Sequence, residues 1–108
     1  MNRDKNLPLT ETVYYILLAL IEPAHGYYIM QKVEELSHGQ VRLAAGTLYG
    51  AIDNLLKLKF IVPTDSEDKR RKMYVITQHG LNILRLDYER MLHMTESTRR
   101  LLGYQGGE

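Results

Sequence analysis

The stretch GTLYGAIDNLLKLKF, residues 46–60, has the spacing of an amphipathic helix with an unusual outer face. Its predicted buried stripe has members at intervals of four, three and one residues: Leu48, Ile52, Leu55 and Leu56. The other side carries small, polar and weakly basic residues: Thr47, Gly50, Asn54 and Lys57. A glycine inside a helix costs about 1 kcal/mol relative to alanine, and a merely solvated face gains nothing from that cost. We interpret this face as shaped for close approach to a polyanion, with solvation or packing of a neighbour against Gly50 as the alternatives.

The composition predicts one globular domain of a cytoplasmic protein. The chain has 108 residues, with 44% hydrophobic and 25% charged residues, which are ordinary values for a globular domain. The absence of cysteine excludes disulfides, thiolate metal sites and thiol nucleophiles. The longest apolar run, residues 13–21, is too short for a membrane helix of roughly 20 residues, so no membrane partner is expected. The first ten residues do not have the pattern of a signal peptide.

The periodicity along the chain predicts four helices, a short strand and a hairpin. Thr10 caps a first helix that stops before Pro23, and a second helix begins at Gly26 and ends near Gly39. Residues 40–43, QVRL, could form a short edge strand, and a third helix covers residues 45–59. Two strands and a last helix complete the order: residues 60–64, residues 72–77, and a helix over residues 80–102 that is capped by Thr77.

This order predicts an α+β fold, mostly α with a small β-hairpin, of the winged helix-turn-helix type. A long C-terminal helix is added to it. We expect residues 1–79 to form the DNA-binding part and residues 80–108 to form a dimerisation helix with a short tail, within one structural domain overall. In such a fold the second helix of the motif lies in the major groove of DNA, so Thr47, Asn54 and Lys57 are candidate contacts. Tyr49 lies on the flank of the same face.

The hairpin tip carries a basic run that is a candidate wing. Its members are Lys69, Arg70, Arg71 and Lys72. Phosphate contacts from such residues supply most non-specific affinity for DNA, although a charge run is also typical of a solvated loop. The net charge of the whole chain is only +1, so a role in nucleic-acid binding depends on this local patch.

The last helix has a seam typical of helix pairing. Leu84, Tyr88 and Met91 recur at four and three residues, after the core of the domain is complete. Packing on the first helix is one interpretation, and pairing with a second copy of the chain is the other. A two-fold dimer also places two recognition helices about one DNA turn apart.

The sequence contains no pattern typical of an enzyme or of a metal site, and we expect no cofactor. The four histidines are far apart and lack metal-binding spacing. There is neither a glycine-rich phosphate loop nor a serine nucleophile elbow. The chain has eight tyrosines, and some of them could line a pocket for a small molecule.

Three stretches together resemble the PadR-like transcriptional regulators: HGYYIMQKVEEL, AAGTLYGAIDNLLKLKFI and DKRRKMYVITQHG. The resemblance covers roughly residues 10–80. It implies a dimeric winged-helix repressor that reads DNA with the helix carrying Thr47, Leu48 and Tyr49 and with the wing. It also implies dimerisation through the C-terminal helix together with the first helix, where Val13 and Leu17 are the candidates, and a response to small aromatic ligands in some members. The single C-terminal helix is similar to that of the short subgroup.

The sequence therefore predicts a homodimeric repressor that binds a short inverted repeat in promoter DNA, with a small aromatic effector as a further partner. Two alternatives stay open. The chain could be a winged-helix module that binds proteins, which the near-neutral net charge favours. It could also be a small-molecule sensor without specific DNA binding.

Overall fold

The computed structural model describes residues 3–67 and 70–103, and within them the predicted α+β fold is confirmed. Residues 68–69 and 104–108, which include Lys69 of the predicted wing and the predicted tail, lie outside the described residues. The elements in chain order are α1 (Glu11–Ala19), β1 (Ala24–His25), α2 (Gly26–Leu36), α3 (Ala45–Lys57), β2 (Ile61–Thr64), β3 (Met73–Ile76) and α4 (Gln78–Leu102).

The sheet contains one strand that the sequence did not predict. β3 lies in the centre, β2 pairs with one edge and the two-residue strand β1 pairs with the other, all antiparallel. Pro63 lies in the edge strand β2, as predicted. The predicted strand at residues 40–43 is wrong, because this segment turns back onto the end of α2. There the Val41 N–H donates to the Ser37 hydroxyl at 2.9 Å and pairs with no strand.

Two threonines begin helices as predicted. The Thr10 hydroxyl accepts from the Val13 N–H at the start of α1, and the Thr77 hydroxyl accepts from the Gly80 N–H at the start of α4. Such caps satisfy backbone donors that have no partner within the helix. The ends of the helices differ slightly from the predicted bounds. α3 stops at Lys57 because Lys59 takes a left-handed conformation with φ 63°, and α4 begins at Gln78.

The core is formed by the inner faces of the helices and by the sheet. Leu48, Ile52 and Leu55 of α3 are at most 1% exposed and pack against α2 and β2, which confirms these members of the predicted stripe. Leu56, the fourth predicted member, is half-buried and packs against the core. The largest fully buried apolar side chains elsewhere are those of Ile16, Leu17, Leu20, Ile29, Val33, Phe60, Ile61 and Ile83. The outer face of α3 is therefore held in a fixed position by a packed inner face.

The segment after α3 and the start of α4 form a tightly bonded joint. The Thr77 hydroxyl donates to the Lys59 carbonyl at 2.7 Å, and the Thr77 N–H donates to the Phe60 carbonyl at 2.9 Å. Gly80 packs directly on Phe60: a Cβ there would lie 2.7 Å from Ile76 Cγ1 and nearer still to the Phe60 carbonyl oxygen. The His79 ring meets the Phe60 ring edge-on, with centroids 4.9 Å apart. We call this cluster the α3–α4 joint.

Candidate nucleic-acid interface

The outer face of α3 is exposed as the helical wheel predicts. Thr47, Gly50, Asn54 and Lys57 are all exposed, and Tyr49 on the flank keeps 48% of its surface accessible. Leu48 is different: its side chain is completely buried, so it anchors α3 to the core and presents no surface to a ligand. Asp53, also exposed, is the single acidic residue within α3.

Packing within the described structure does not require glycine at positions 46 and 50. A Cβ built at Gly46 or at Gly50 meets no described atom within 4 Å outside the helix's own backbone and the adjacent residues. The alternative in which a neighbouring segment packs against Gly50 is therefore excluded for the part of the chain that the structure describes. Alanine fits at both positions, and both lie on the exposed side.

The wing places three cations at the end of the hairpin that leads into β3. Arg70, Arg71 and Lys72 are exposed, and Met73 begins β3 immediately after them. On the other side of the tip, Asp65 and Glu67 are exposed as well. The local charge of the described wing is thus three positive against two negative residues, and both signs reach the sheet, with Asp65 next to β2 and Lys72 next to β3.

A groove of about 530 Å³ brings the wing, α3 and the start of α2 together. We call it the wing groove. Four of its lining residues are predicted DNA contacts: Tyr49, Arg70, Arg71 and Lys72. The other four were not predicted to contact DNA: His25, Gly26, Tyr27 and Tyr74. Gly26 permits this arrangement, because a Cβ there would lie 2.9 Å from Tyr49 Cζ and would clash with the Tyr49 hydroxyl. Tyr49 therefore leans across the first turn of α2.

His25 connects α2 to the wing. Its Nδ1 lies 3.5 Å from the Tyr28 N–H at the start of α2, and its Nε2 lies 3.3 Å from Nη1 of Arg71. The sequence pattern predicts neither a metal site nor a DNA contact at His25. A histidine directly before the first glycine of a helix is a signal for a cap, but its contact with Arg71 spans 46 residues and depends on the β1–β3 pairing.

Tyr74 lies at the bottom of the wing groove, with 6% of its surface exposed. Burial raises the pKa of its phenol above the ordinary value of 10.0, and Tyr49 and Asp53 raise it further. The phenol is therefore neutral at physiological pH and able to donate a hydrogen bond.

The predicted dimerisation residues do not share one environment. Leu17 is completely buried and Leu84 is 6% exposed, so these two belong to the core of the protomer and do not form a surface. Val13 and Met91 are half-buried, and Tyr88 is 53% exposed. Beyond Met91, α4 carries further exposed apolar side chains: Leu92, Met94, Leu101 and Leu102.

A second cavity lies between α1 and α4 and has a volume of about 470 Å³. Its polar centre is Asp87, which is 1% exposed and accepts a hydrogen bond from Nε of Arg90 at 2.5 Å. Burial raises the pKa of the adjacent Tyr14 phenol, and the charge of Asp87 adds to that effect. The apolar part of the lining consists of Leu9, Tyr15, Leu18 and Met91.

Neither a metal centre nor a membrane span is present in the described part of the chain. Its His, Asp and Glu residues form no group of three or more that could hold a metal ion. Among the helices of residues 3–67 and 70–103, none combines the length and the apolar character needed to cross a bilayer.

The geometry of a helix with an open polar face beside a basic wing agrees with a match of residues 16–86 to the model of the transcriptional regulator PadR-like family. The chain belongs to this family. Membership confirms the sequence-based resemblance and assigns the chain to DNA-binding transcription regulation with a winged-helix fold. PadR-like proteins are transcriptional regulators and generally not enzymes.

Solved structures with the same fold come from several microorganisms. A transcriptional regulator from Clostridium thermocellum is 22% identical, with a TM-score of 0.72 over 92% of this chain and 97% of that one. RosR from H. salinarum is 23% identical, with a TM-score of 0.70 over 92% and 94%. A PadR family regulator from Eggerthella lenta is 25% identical, with a TM-score of 0.67 over 86% and 82%. Comparison with curated protein sequences gave no significant match.

Proposed function

We propose that this PadR-like protein is a cytoplasmic homodimeric repressor that binds a short inverted repeat in promoter DNA through α3 and the wing. The observation that carries the proposal is the wing groove, in which Tyr49 of α3 and three cations of the wing line one surface. The outer face of α3 is thus continuous with a basic strip on the wing. Such a surface suits DNA, because α3 can enter a groove while the wing cations contact the phosphates.

The outer face of α3 suits the major groove of DNA. The groove is about 12 Å wide, so a helix that enters it must bring small side chains forward. Gly46 and Gly50 supply that close approach, because nothing in the described structure occupies the space above them. Thr47 and Asn54 then offer hydrogen-bonding groups to base edges, and Lys57 offers a cation to a phosphate.

Dimerisation would use the surface side of α4. With 25 residues, α4 is about 37 Å long. It contacts α1, and from residue 92 to residue 102 its side chains are exposed apart from the half-buried Ser97. Tyr88 and Leu92 are half-exposed on this side, and a second copy of α4 would cover them. In this arrangement residues 1–79 bind DNA and residues 80–108 join the copies, within one structural domain.

The decisive experiment is fluorescence anisotropy on the duplex directly upstream of the gene, with a scrambled duplex as control, at several salt concentrations. A specific regulator prefers its own duplex by at least ~10³ and shows a steep salt slope. Asn54→Ala should relax the sequence preference, and Arg70→Ala should weaken both duplexes alike and lower the salt slope by about 1. Equal weak binding of both duplexes would contradict specific regulation and favour the protein-binding module.

The dimer can be tested independently of DNA by sedimentation velocity. Leu92→Glu should produce a folded monomer, because Leu92 is 49% exposed in the protomer but faces the proposed partner. Leu86→Glu is the matched control: Leu86 is 47% exposed and lies about 120° away around α4. If both variants remain dimeric, the surface side of α4 is not the interface.

A small aromatic effector is a second component of the proposal, supported by the cavity between α1 and α4. Its volume is in the range of small-molecule sites, and it combines tyrosine rings with the Asp87–Arg90 pair. Planar aromatic compounds should quench tyrosine fluorescence in a saturable way and weaken DNA binding. Quenching should survive neutralisation of the wing, and its loss on that change would place the compounds in the wing groove instead.

A further inference from the structure

We propose that the wing groove holds a single phosphate of the DNA backbone between His25 and Arg71, so that His25 is a binding residue of the interface. This inference rests on the proposed DNA binding and adds to it a specific contact. It concerns the edge of the interface, where α2 and the wing meet, and not the base-reading face of α3.

The hydrogen-bonding pattern around His25 points to an acceptor in this position. A neutral imidazole accepts at one nitrogen and donates at the other, and a guanidinium only donates. If Nδ1 accepts from the Tyr28 N–H, then Nε2 carries the proton and faces Nη1 of Arg71, 3.3 Å away. If Nε2 accepts from Arg71 instead, the proton on Nδ1 faces the Tyr28 N–H. In either tautomer two donors face each other.

An anionic oxygen beside Nε2 and Arg71 resolves this conflict. It accepts from both donors at once, and Nδ1 then remains free to cap the Tyr28 N–H. The surroundings have the matching charge, because Arg70 and Lys72 line the same groove. Phosphate oxygens of DNA are the anions that a neighbouring recognition helix brings to this place.

Two tyrosines complete the site with neutral donors. Tyr27 is 63% exposed and Tyr49 is 48% exposed, and both line the groove. Their hydroxyls can donate to the remaining phosphate oxygens, as tyrosines often do on the DNA backbone. Gly26 is required because any side chain there would displace Tyr49.

The first test is His25→Asn in the full chain, with His93→Asn as the matched control. Asparagine is a good N-cap, so the start of α2 keeps its acceptor and loses only the Nε2 donor. We expect affinity for the upstream and the scrambled duplex to fall by the same factor, about tenfold or more, with the preference between them unchanged. His93 is exposed on α4 and should show no effect.

Arg71→Gln provides a second variant, at an exposed position of the wing. It should weaken both duplexes and reduce the salt slope by about 1. Duplexes with one neutral methylphosphonate per half-site then locate the contact. At one position the neutral group should lower the affinity of the wild type about tenfold. At the same position it should change the affinity of Arg71→Gln very little, because that variant already lacks the contact.

The outcomes separate the two proposals. If the wild type binds neither duplex, the proposed function fails and this inference fails with it. The phosphate site alone is overturned if the wild type binds specifically but two results follow. His25→Asn binds DNA as His93→Asn does, and the loss of affinity from a methylphosphonate adds to that from Arg71→Gln at every position. Non-additivity at one position, with uniform loss in His25→Asn, supports it.

Discussion

Gly50 and Gly80 both lie inside helices, but their surroundings are opposite. A Cβ at Gly80 would run into the Phe60 carbonyl oxygen and Ile76, whereas a Cβ at Gly50 would meet nothing within 4 Å. Gly80 belongs to the α3–α4 joint, where the backbone of one segment lies directly on a helix. Gly50 belongs to the outer face of α3, which no described segment covers.

This difference shows which glycine the fold requires and which it merely tolerates. At Gly80 the absence of a side chain permits close packing, so the glycine contributes to stability. At Gly50 the protomer gains nothing, and the helix is weakened by about 1 kcal/mol relative to alanine. Because no contact within the protomer compensates for this loss of helix stability, we infer that Gly50 serves a partner outside the protomer. This inference supports DNA binding at α3.

The largest expected effect is that of Gly80→Ala. The new methyl group meets a backbone carbonyl that cannot move without opening the joint, so the free energy of unfolding should fall by about 3 kcal/mol. Urea unfolding at fixed protein concentration measures this loss. A loss below about 0.5 kcal/mol would show that the joint yields easily and that the two glycines differ less than their surroundings suggest.

Gly50→Ala should act in the opposite direction. The position is helical and open, so alanine should raise the free energy of unfolding by about 1 kcal/mol. The same methyl group would stand between α3 and the floor of the major groove, so DNA affinity should fall. Gly46→Ala, also open but in the first turn, is the companion variant. Unchanged DNA binding in both variants would remove the functional reason for these glycines.

Gly26→Ala tests a case between the two extremes. The nearest atom is the Tyr49 hydroxyl, the end of a side chain that can move, so the loss in stability should be only about 0.5 kcal/mol. Tyr49→Ala removes the hydroxyl together with the ring carbon Cζ, which would lie 2.9 Å from the new methyl group. It should make the Gly26→Ala change nearly neutral, as a double-mutant cycle by urea unfolding would show. Additive losses would mean that Gly26 is needed for another reason.

The smallest effect concerns Tyr74, which lies where the packed core meets the wing groove. Burial raises its pKa in the folded protein, so the folded state holds the phenol proton more tightly than the unfolded chain. Its contribution to stability is therefore complete below pH 10 and is lost as pH rises through the folded pKa. Unfolding measured from pH 8 to pH 11 should show a steeper fall for the wild type than for Tyr74→Phe.

Much of the fold could be predicted from the sequence because its signals are local. Caps at Thr10 and Thr77, the apolar stripe of α3 and the β-branched hairpin each depend on neighbours along the chain. The strand β1 could not be predicted, since two residues have no periodicity and their pairing with β3 is set by the tertiary fold. Residues 40–43 were misassigned because a strand-like composition did not reveal the Ser37 cap.

The outer face of α3 could be predicted from the sequence, whereas the wing groove could not. The helical wheel alone separates the exposed face of α3 from its buried stripe, and the structure agrees with that separation. The family resemblance placed Leu48 among the contacts, but this residue is buried. The meeting of His25 with Arg71 depends on strand register and could not be found by spacing. The DNA contacts themselves stay predictions.

The α3–α4 joint has a mechanical consequence. Because Thr77 is hydrogen-bonded to both Lys59 and Phe60, α4 begins directly on the segment that ends α3, and we expect the two helices to turn together. In the proposed dimer, a tilt of about 5° over the roughly 37 Å of α4 moves its far end by about 3 Å. That displacement is close to the rise of one base-pair step, since 10–10.5 steps span about 34–36 Å. A change too small to alter the fold of either protomer would thus bring the pair of recognition helices out of register with an inverted repeat.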